Sequence, residues 1–314
     1  MSKTAFLFSG QGAQYVGMGL EAANQFDCAA LIFKKASQEL GFDLEKICFE
    51  ENDLINQTEY TQPAILTTSI ALLEVVKEKG LQADVFAGLS LGEYSALVAA
   101  DVIKFEDAVK LVNKRGKYMS EAVEPGKGSM AAIIGMSIED VLALCDKASE
   151  FGICEVANYN CPGQIVIGGE TNTIKKAVEL ATEMGAKKAI ELNVSGPFHT
   201  SMLEPAAINL EQDLKSIEIN NNDNQVVANT TAKYINNKEE FRTILKDQVM
   251  NSVKWDQSIK KMIEDGVDTF IEIGPGKALS GFVKMIMRDM GVKVKVFNVE
   301  DMKSLERTLT KLGE

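Results

Sequence analysis

Histidine and cysteine are scarce in this sequence. Its 314 residues include one histidine, His199, and five cysteines, and no two of the cysteines stand in a Cys-x-x-Cys pair. A structural zinc site draws on clustered cysteine and histidine, so the sequence predicts no metal centre. An odd number of scattered cysteines favours a reducing, cytoplasmic compartment over a disulfide-bonded secreted scaffold.

Long hydrophobic runs and an excess of positive charge are also missing. The apolar run near the N-terminus, Ala5 to Phe8, is too short for a signal peptide or a membrane span. Lysine and arginine number 33 against 45 acidic residues, a formal net charge of −12. This acidity argues against nucleic acid or an anionic membrane as a partner. An anionic ligand would need a local cluster of positive charge.

The remaining composition is that of an ordinary globular protein, with 46% hydrophobic and 25% charged residues. Up to residue 126 and again from Pro197, short apolar runs alternate with amphipathic helical stretches, a pattern typical of a parallel α/β sheet. Between them, the chain reads strand, helix, strand, strand, helix, strand, the order of a ferredoxin-like unit. We therefore predict an α/β core of residues 1–126 and 197–314 with a small inserted domain, 127–196.

Several local elements are predicted with defined bounds. A helix is expected from Gln62 to Lys79 with Pro63 in its first turn, a position that proline favours. Ser137 and Asp140 have the spacing of a helix capping box. A strand is expected from Val226 to Ala228, and a helix over 201–215.

The segment Gly88-Leu89-Ser90-Leu91-Gly92 lies between a short apolar run and a helical stretch. This is the nucleophile-elbow pattern, in which the glycines permit a sharp turn and the helix N-terminus offers amide donors to an oxyanion. A Gly-x-Ser-x-Gly sequence is also compatible with an ordinary turn. The strand and helix around it favour a nucleophilic Ser90.

A serine hydroxyl needs a neighbouring base, most often a histidine with a pKa of about 6.5. If Ser90 is activated in this way, His199 must be the base, because it is the sole histidine. His199 follows the inserted domain, where a connection would pass the site between domains. The alternative for a lone histidine is a structural role.

Arginine is rare, and Arg115 lies in an amphipathic helix soon after the elbow. A guanidinium facing a pocket is a good bidentate partner for a carboxylate, whereas a solvated surface position is the other interpretation.

Two glycine-rich loops resemble nucleotide-binding motifs without matching them. Tyr15 replaces the last glycine of a dinucleotide fingerprint that would start at Gly10, and Glu121 replaces the first glycine of a P-loop. The Gly10 loop could instead supply an oxyanion donor opposite Ser90.

Six motifs occur together, and in their order the chain resembles the malonyl-CoA:acyl carrier protein transacylases over nearly its whole length. These motifs are Phe8-Ser9-Gly10-Gln11-Gly12-Ala13-Gln14, Thr61-Gln62-Pro63-Ala64, Gly88-Leu89-Ser90-Leu91-Gly92-Glu93-Tyr94, Arg115-Gly116-x-x-Met119, Pro197-Phe198-His199-Thr200 and Ile273-Gly274-Pro275-Gly276-Lys277. Leu89 departs from the family, which usually has histidine there. The resemblance implies an α/β-hydrolase-like core with a parallel sheet and an inserted ferredoxin-like domain.

The resemblance also implies a reaction and its residues. Malonyl would pass from malonyl-CoA through a malonyl-serine to the phosphopantetheine thiol of an acyl carrier protein, supplying fatty-acid synthesis without a bound cofactor. The implied roles are Ser90 as nucleophile, His199 as base, the backbone amides of Gln11 and Leu91 as oxyanion hole, the main-chain carbonyl of Gln248 as the group that orients His199, Arg115 as partner of the malonyl carboxylate, and Met119 and Asn160 as pocket lining. Phe198, beside the base, would crowd an α-methyl branch and weakly favour malonyl over methylmalonyl.

Coenzyme A and acyl carrier proteins are anionic, as this chain is. Lys277, Lys284 and Arg288 are spaced i, i+7 and i+11, which puts them on one face of a predicted helix. We interpret them as a docking patch for the carrier, with a solvated helix face as the alternative.

Two other functions remain open at the level of the sequence. The first is an esterase or thioesterase of the α/β-hydrolase fold, in which an acidic residue follows the serine and the histidine lies near the C-terminus. His199 is far from the C-terminus and follows the inserted unit, which counts against it. The second is a non-catalytic acyl-binding domain in which Ser90 and His199 have no chemical role.

Overall fold

The computed structural model describes residues 2–220 and 224–313, and it is a mixed α/β structure with two separate sheets. The helices are α1 (Leu20–Gln25), α2 (Asp27–Leu40), α3 (Leu44–Phe49), α4 (Thr58–Glu78), α5 (Gly92–Ala99), α6 (Phe105–Glu121), α7 (Ile138–Ala148), α8 (Thr171–Glu183), α9 (Glu204–Leu214), α10 (Glu240–Met250), α11 (Trp255–Glu264), α12 (Ala278–Asp289) and α13 (Met302–Leu312). The strands are β1 (Lys3–Phe8), β2 (Val85–Gly88), β3 (Gly128–Ile134), β4 (Cys154–Cys161), β5 (Gln164–Glu170), β6 (Lys188–Glu191), β7 (Gln225–Val226), β8 (Val267–Ile273) and β9 (Lys295–Val299). No helix in the described ranges is long and apolar enough to cross a membrane.

The larger sheet is parallel, with strand order β7-β2-β1-β8-β9. Its central strand, β1, is buried from Ala5 to Phe8. A strand covered on both faces needs a continuous apolar run rather than alternation, which explains the sequence here. Phe8 pairs with Gly88 on one side and with Ile273 on the other. The loops that follow β1, β2 and β8 therefore leave the same edge of the sheet.

The smaller sheet is antiparallel, with strand order β4-β5-β3-β6. Its elements follow one another as β3, α7, β4, β5, α8 and β6, which is the predicted order. The two helices bury an apolar core against it that includes Ile133, Leu144 and Ile167. The sheet is joined to the larger region at β4, where the Tyr159 N–H donates to Val253 O at 2.9 Å.

Three predicted boundaries are wrong in detail, each for a local reason. Helix α4 begins at Thr58, so Pro63 lies in its second turn. Proline has no N–H for the Glu59 carbonyl, and Asn113 Nδ2 donates to that oxygen instead, at 2.9 Å.

The other two differences are at a strand and a helix start. Strand β7 ends at Val226 because Val227 already forms a bridge with Tyr234. The predicted helix over 201–215 starts as a 3-10 turn, Ser201–Leu203, before α9 begins. The N-terminus of α7 agrees with its prediction, since Ser137 Oγ accepts the Asp140 N–H at 3.1 Å.

Candidate active site

Ser90 occupies a sharp turn between β2 and α5. Its φ is +56°, a left-handed conformation that is uncommon for residues other than glycine. A Cβ atom at Gly88 would collide with the backbone of Gly92, and one at Gly92 would collide with the carbonyl of Phe8. The two glycines are therefore required for the turn to close against β1, and this turn presents Ser90 at the N-terminus of α5.

His199 lies beside Ser90, with 2.7 Å between Ser90 Oγ and His199 Nε2. On the other side of the ring, His199 Nδ1 is 2.7 Å from the main-chain oxygen of Gln248. A carbonyl oxygen only accepts, so Nδ1 carries the proton and Nε2 is free to accept from the serine hydroxyl. His199 also has a positive φ, +62°, an uncommon conformation for a residue other than glycine.

The histidine is held in its neutral form. Its side chain is buried, and burial first and the nearby charge of Arg115 second lower the pKa of His199 to about 4. A positive imidazolium is disfavoured both by loss of water and by a second cation. At neutral pH the ring is therefore available as a base.

Arg115 is the cation of this site, and its residue is only 1% exposed. Nη1 donates to Gln62 Oε1 at 2.8 Å. Nη2 donates to Gln248 Oε1 at 2.9 Å and to Ser90 Oγ at 3.2 Å. The guanidinium carbon lies 5.3 Å from the centre of the Tyr94 ring, and burial lowers the pKa of Arg115.

The partners of Arg115 are neutral groups. Within residues 2–220 and 224–313, its Nε–H has no acceptor and its guanidinium forms no ion pair. A buried guanidinium is usually paired with an anion. A ligand carboxylate beside Ser90 would supply this pairing.

Two backbone amides are available for an oxyanion. Among the described residues, the N–H groups of Gln11 and Leu91 donate to no protein acceptor. The Ser90 N–H, by contrast, donates to Asn229 Oδ1 at 2.6 Å. Gly10 is packed so closely on Leu89 that a Cβ there would strike the Leu89 carbonyl. The Gln11 loop and the elbow are thus in contact.

The remaining predicted residues divide into those at the site and those away from it. Met119 is buried, and its sulfur accepts from Gln62 Nε2 at 3.6 Å while Gln62 Oε1 accepts from Arg115. Phe198 is buried and immediately precedes His199 in the chain. Asn160 is buried on β4, its Oδ1 lacks a partner, and no hydrogen bond in the described ranges links it to Ser90 or Arg115. The predicted docking residues are all exposed, at the start of α12 and along it, and take part in none of the ion pairs of the described chain: Lys277, Lys284 and Arg288.

Three polar residues of the site had no predicted role. Gln62 holds Arg115 and sits in a quoted motif. Glu93 is fully buried on α5, where burial raises the pKa of its carboxyl to about 8, and it could have been noticed as the one charge in an apolar helix. Asn229 is also buried. Its only indication in the sequence is that it closely follows a strand whose end lies at the same edge of the sheet as the elbow. Leu89, the departure from the family motif, packs against the apolar cluster under the sheet.

The chain matches the acyl transferase domain model over residues 5–306. It is 46% identical to the malonyl CoA-acyl carrier protein transacylase of Bacillus subtilis, covering 100% of this chain and 98% of that protein. The crystal structure of the transacylase of that name from Clostridium perfringens superposes with a TM-score of 0.95 at 51% identity, covering 99% of this chain and 98% of the other. A malonyl-transacylase in complex with its type II PKS acyl-carrier protein superposes with a TM-score of 0.94 at 38% identity, covering 99% and 100%.

Proposed function

Because this chain belongs to the acyl transferase family, we propose that Ser90 carries a malonyl group between two thiols. The chain is an acyltransferase that moves malonyl from malonyl-CoA to the phosphopantetheine thiol of an acyl carrier protein, for fatty-acid synthesis. The observation that carries the assignment of the site is the meeting of Ser90 Oγ with His199 Nε2 at 2.7 Å and with Arg115 Nη2 at 3.2 Å.

In the first half-reaction, Ser90 Oγ attacks the thioester carbonyl of malonyl-CoA and its proton passes to His199 Nε2. The negative charge that develops on the carbonyl oxygen is stabilised by the N–H groups of Gln11 and Leu91. When the tetrahedral intermediate collapses, the carbon–sulfur bond breaks, and the departing thiolate of coenzyme A takes the proton from His199. Malonyl is then an ester of Ser90.

The second half-reaction runs the same steps towards the carrier. His199 removes the proton of the phosphopantetheine thiol, and the sulfur attacks the malonyl-serine carbonyl. The Ser90 oxygen leaves and regains a proton from His199. The Gln248 carbonyl keeps the ring in one tautomer through both steps. One base therefore serves two thioesters, as a ping-pong reaction requires.

Arg115 selects the acyl group. The carboxylate oxygens of a malonyl group on Ser90 are only three bonds beyond its carbonyl carbon, within the range of a guanidinium already 3.2 Å from Oγ. Charge-assisted hydrogen bonds to a buried carboxylate are stronger than those to neutral groups. Acetyl lacks the carboxylate and would leave the cation with its neutral partners. Met119, Asn160 and Phe198 are proposed to line the remaining pocket.

We further propose that the two sheets are an α/β-hydrolase-like core, 1–126 with 197–314, and a ferredoxin-like domain, 127–196. The order β4-β5-β3-β6 of the antiparallel sheet supports the second assignment. All five cysteines are free thiols, which agrees with a cytoplasmic location.

The carrier is proposed to dock on α12. Lys277, Lys284 and Arg288 are exposed there, just after the Gly274-Pro275-Gly276 loop at the edge of the sheet that holds Ser90. An acidic carrier would meet local positive charge despite the net charge of −12 on this chain.

The decisive experiment is intact-mass measurement after mixing the protein with malonyl-CoA or acetyl-CoA. We expect a malonyl adduct on the wild type, none on Ser90→Ala, and little acetyl adduct. Adding a pantetheine thiol should remove the malonyl group faster than water does. An adduct that persists in Ser90→Ala would refute the role of Ser90. Hydrolysis as fast as transfer would indicate a thioesterase, and no adduct at all a non-catalytic acyl-binding domain.

A further inference from the structure

The side chain of Asn229 is hydrogen-bonded to the backbone of the elbow that carries Ser90. Its Oδ1 accepts the Ser90 N–H at 2.6 Å, and its Nδ2 donates to the Gly88 carbonyl at 2.7 Å. One amide group therefore binds a backbone donor and a backbone acceptor that lie two residues apart in the turn. Asn229 is 1% exposed, so water does not compete for these two backbone groups.

Asn229 is itself held by the buried carboxyl of Glu93. Glu93 Oε1 accepts the Asn229 N–H at 3.3 Å, and Glu93 Oε2 accepts from Gln248 Nε2. The same Gln248 nitrogen donates to the Ser90 carbonyl at 2.8 Å. Both backbone groups of Ser90 are thus bound by side chains that share Glu93.

The orientation of the Gln248 amide is determined by Arg115. Because Arg115 only donates, Gln248 must turn Oε1 towards it and Nε2 towards Glu93. Gln248 also provides the main-chain oxygen that binds His199 Nδ1. The nucleophile, the base and the cation are therefore connected through one buried network.

We propose that Asn229, held by Glu93, is a positioning residue that fixes Ser90 in its left-handed conformation and binds the Ser90 N–H, so that this group does not donate to the substrate. The proposal rests on the proposed function and deepens it. A left-handed φ at a non-glycine residue persists only where the surroundings enforce it, and Asn229 supplies that enforcement through its hydrogen bonds to the Ser90 N–H and the Gly88 carbonyl. It also explains why the oxyanion is left to Gln11 and Leu91.

The test compares Asn229→Ala and Asn229→Asp with the wild type. The alanine variant removes both hydrogen bonds. The aspartate variant preserves size but replaces the donor to Gly88 with an acceptor. For both we expect the rate of Ser90 acylation by malonyl-CoA to fall about 100-fold, the usual consequence of misplacing a reacting group by about 1 Å. The dissociation constant of malonyl-CoA, measured in a Ser90→Ala background, should not change, because Arg115 remains in place.

A second probe separates this proposal from the proposed function. A fluorophosphonate modifies an activated serine without a malonyl group, and its rate should fall in the same proportion. If the wild type reacts with the fluorophosphonate and not with malonyl-CoA, the function is wrong and the role of Asn229 is still decided by the probe. Glu93→Gln should slow both reactions as well, because an amide at 93 cannot accept from both Asn229 and Gln248.

Asn52 provides the matched control. Its Oδ1 accepts the Ile55 N–H at 2.9 Å and its Nδ2 donates to the Ile47 and Glu50 carbonyls at 2.8 and 2.7 Å, the same chemistry in another loop. Asn52→Ala should acylate at the wild-type rate. Rates are normalised to the folded fraction by circular dichroism. Wild-type rates in Asn229→Asp, or a loss equalled by Asn52→Ala, would overturn the proposal.

Discussion

The interiors of the two sheet regions differ in kind. Within residues 127–196, all of them described, the buried polar side chains are Asn158, Asn160 and Thr173, and none is charged. Around the parallel sheet, Glu93, Arg115 and His199 are buried together. Burying charged groups costs free energy unless partners compensate.

This difference assigns different tasks to the two interiors: the small one mainly contributes to folding stability, and the large one also holds the side chains around Ser90. The core of the small region is apolar and close-packed, so its side chains act mainly through burial. In the large region, the hydrogen bonds of Gln62, Gln248 and Asn229 satisfy buried polar groups, and the same bonds orient Ser90, Glu93 and Arg115. Substitutions in the two regions should therefore affect different measurements.

The largest expected effect is on stability, in the small region. Leu144→Ala on α7 empties a fully buried position and should lower the free energy of unfolding by about 2–5 kcal/mol, as measured by urea denaturation. Acylation per folded molecule should be unchanged. Leu142→Ala on the same helix, where the side chain is 44% exposed, is the control and should cost far less. A loss of acylation in the folded fraction of Leu144→Ala would contradict the separation.

The next effect is on specificity, in the large region. Arg115→Ala should lower kcat/KM for malonyl-CoA relative to acetyl-CoA by about 10- to 100-fold, because a charge-assisted hydrogen bond to the carboxylate is lost. Competition between the two thioesters measures it directly. Arg242→Ala is the control, since Arg242 donates to the Leu214 and Ile217 carbonyls. An unchanged preference in Arg115→Ala would remove its proposed role.

A smaller effect is expected on α12, where the carrier is proposed to dock. Lys284→Glu should raise the KM for the acyl carrier protein about two- to fivefold, since exposed charges contribute modestly and are screened by salt. Acylation by malonyl-CoA should stay at the wild-type rate. Lys175→Glu reverses an equally exposed lysine of the small region and should leave both steps alone. Equal effects of the two reversals would exclude docking on α12.

The smallest effect concerns the pH dependence of kcat/KM, which we expect to be nearly flat below neutral pH. A base with a pKa of about 4 stays neutral at pH 5.5, so kcat/KM for malonyl-CoA should be close to its neutral value there. A histidine with a pKa of about 6.5 would lose about tenfold. A midpoint near 6.5 in the pH profile would show that His199 is not desolvated.

The same shift affects stability with a defined sign. The pKa of His199 is 6.5, the ordinary value, in the unfolded chain and about 4 in the folded chain. Between these two pH values, the unfolded chain binds a proton at His199 that the folded chain does not. Stability is therefore lost as pH falls through this window. Replacing His199 with glutamine should reduce that part of the slope in urea titrations.

Much of the fold follows from local patterns in the sequence. The order of strands and helices in the small region, and the Ser137 cap, follow from periodicity and turn residues. Pro63 shows the limit, because its tolerance within α4 depends on Asn113, which is distant in the chain. Strand β7 is another such case, since the bridge from Val227 to Tyr234 shortens it.

The sequence by itself determined the chemical inventory of this protein: one imidazole, an elbow serine between two obligatory glycines, and an arginine on the amphipathic helix that follows the elbow. Motif spacing and hydrophobic period are local properties, so they were readable in advance. Only the tertiary structure decided that Arg115 has neutral partners, that the Gln11 and Leu91 amides meet no acceptor in the part of the chain that the structure describes, and that Asn229 and Glu93 are hydrogen-bonded around Ser90. Those facts depend on contacts between segments that are distant in the chain, from 25 residues apart for Arg115 and Ser90 to 139 for Ser90 and Asn229. The burial that lowers the pKa of His199 exists only once those segments have packed.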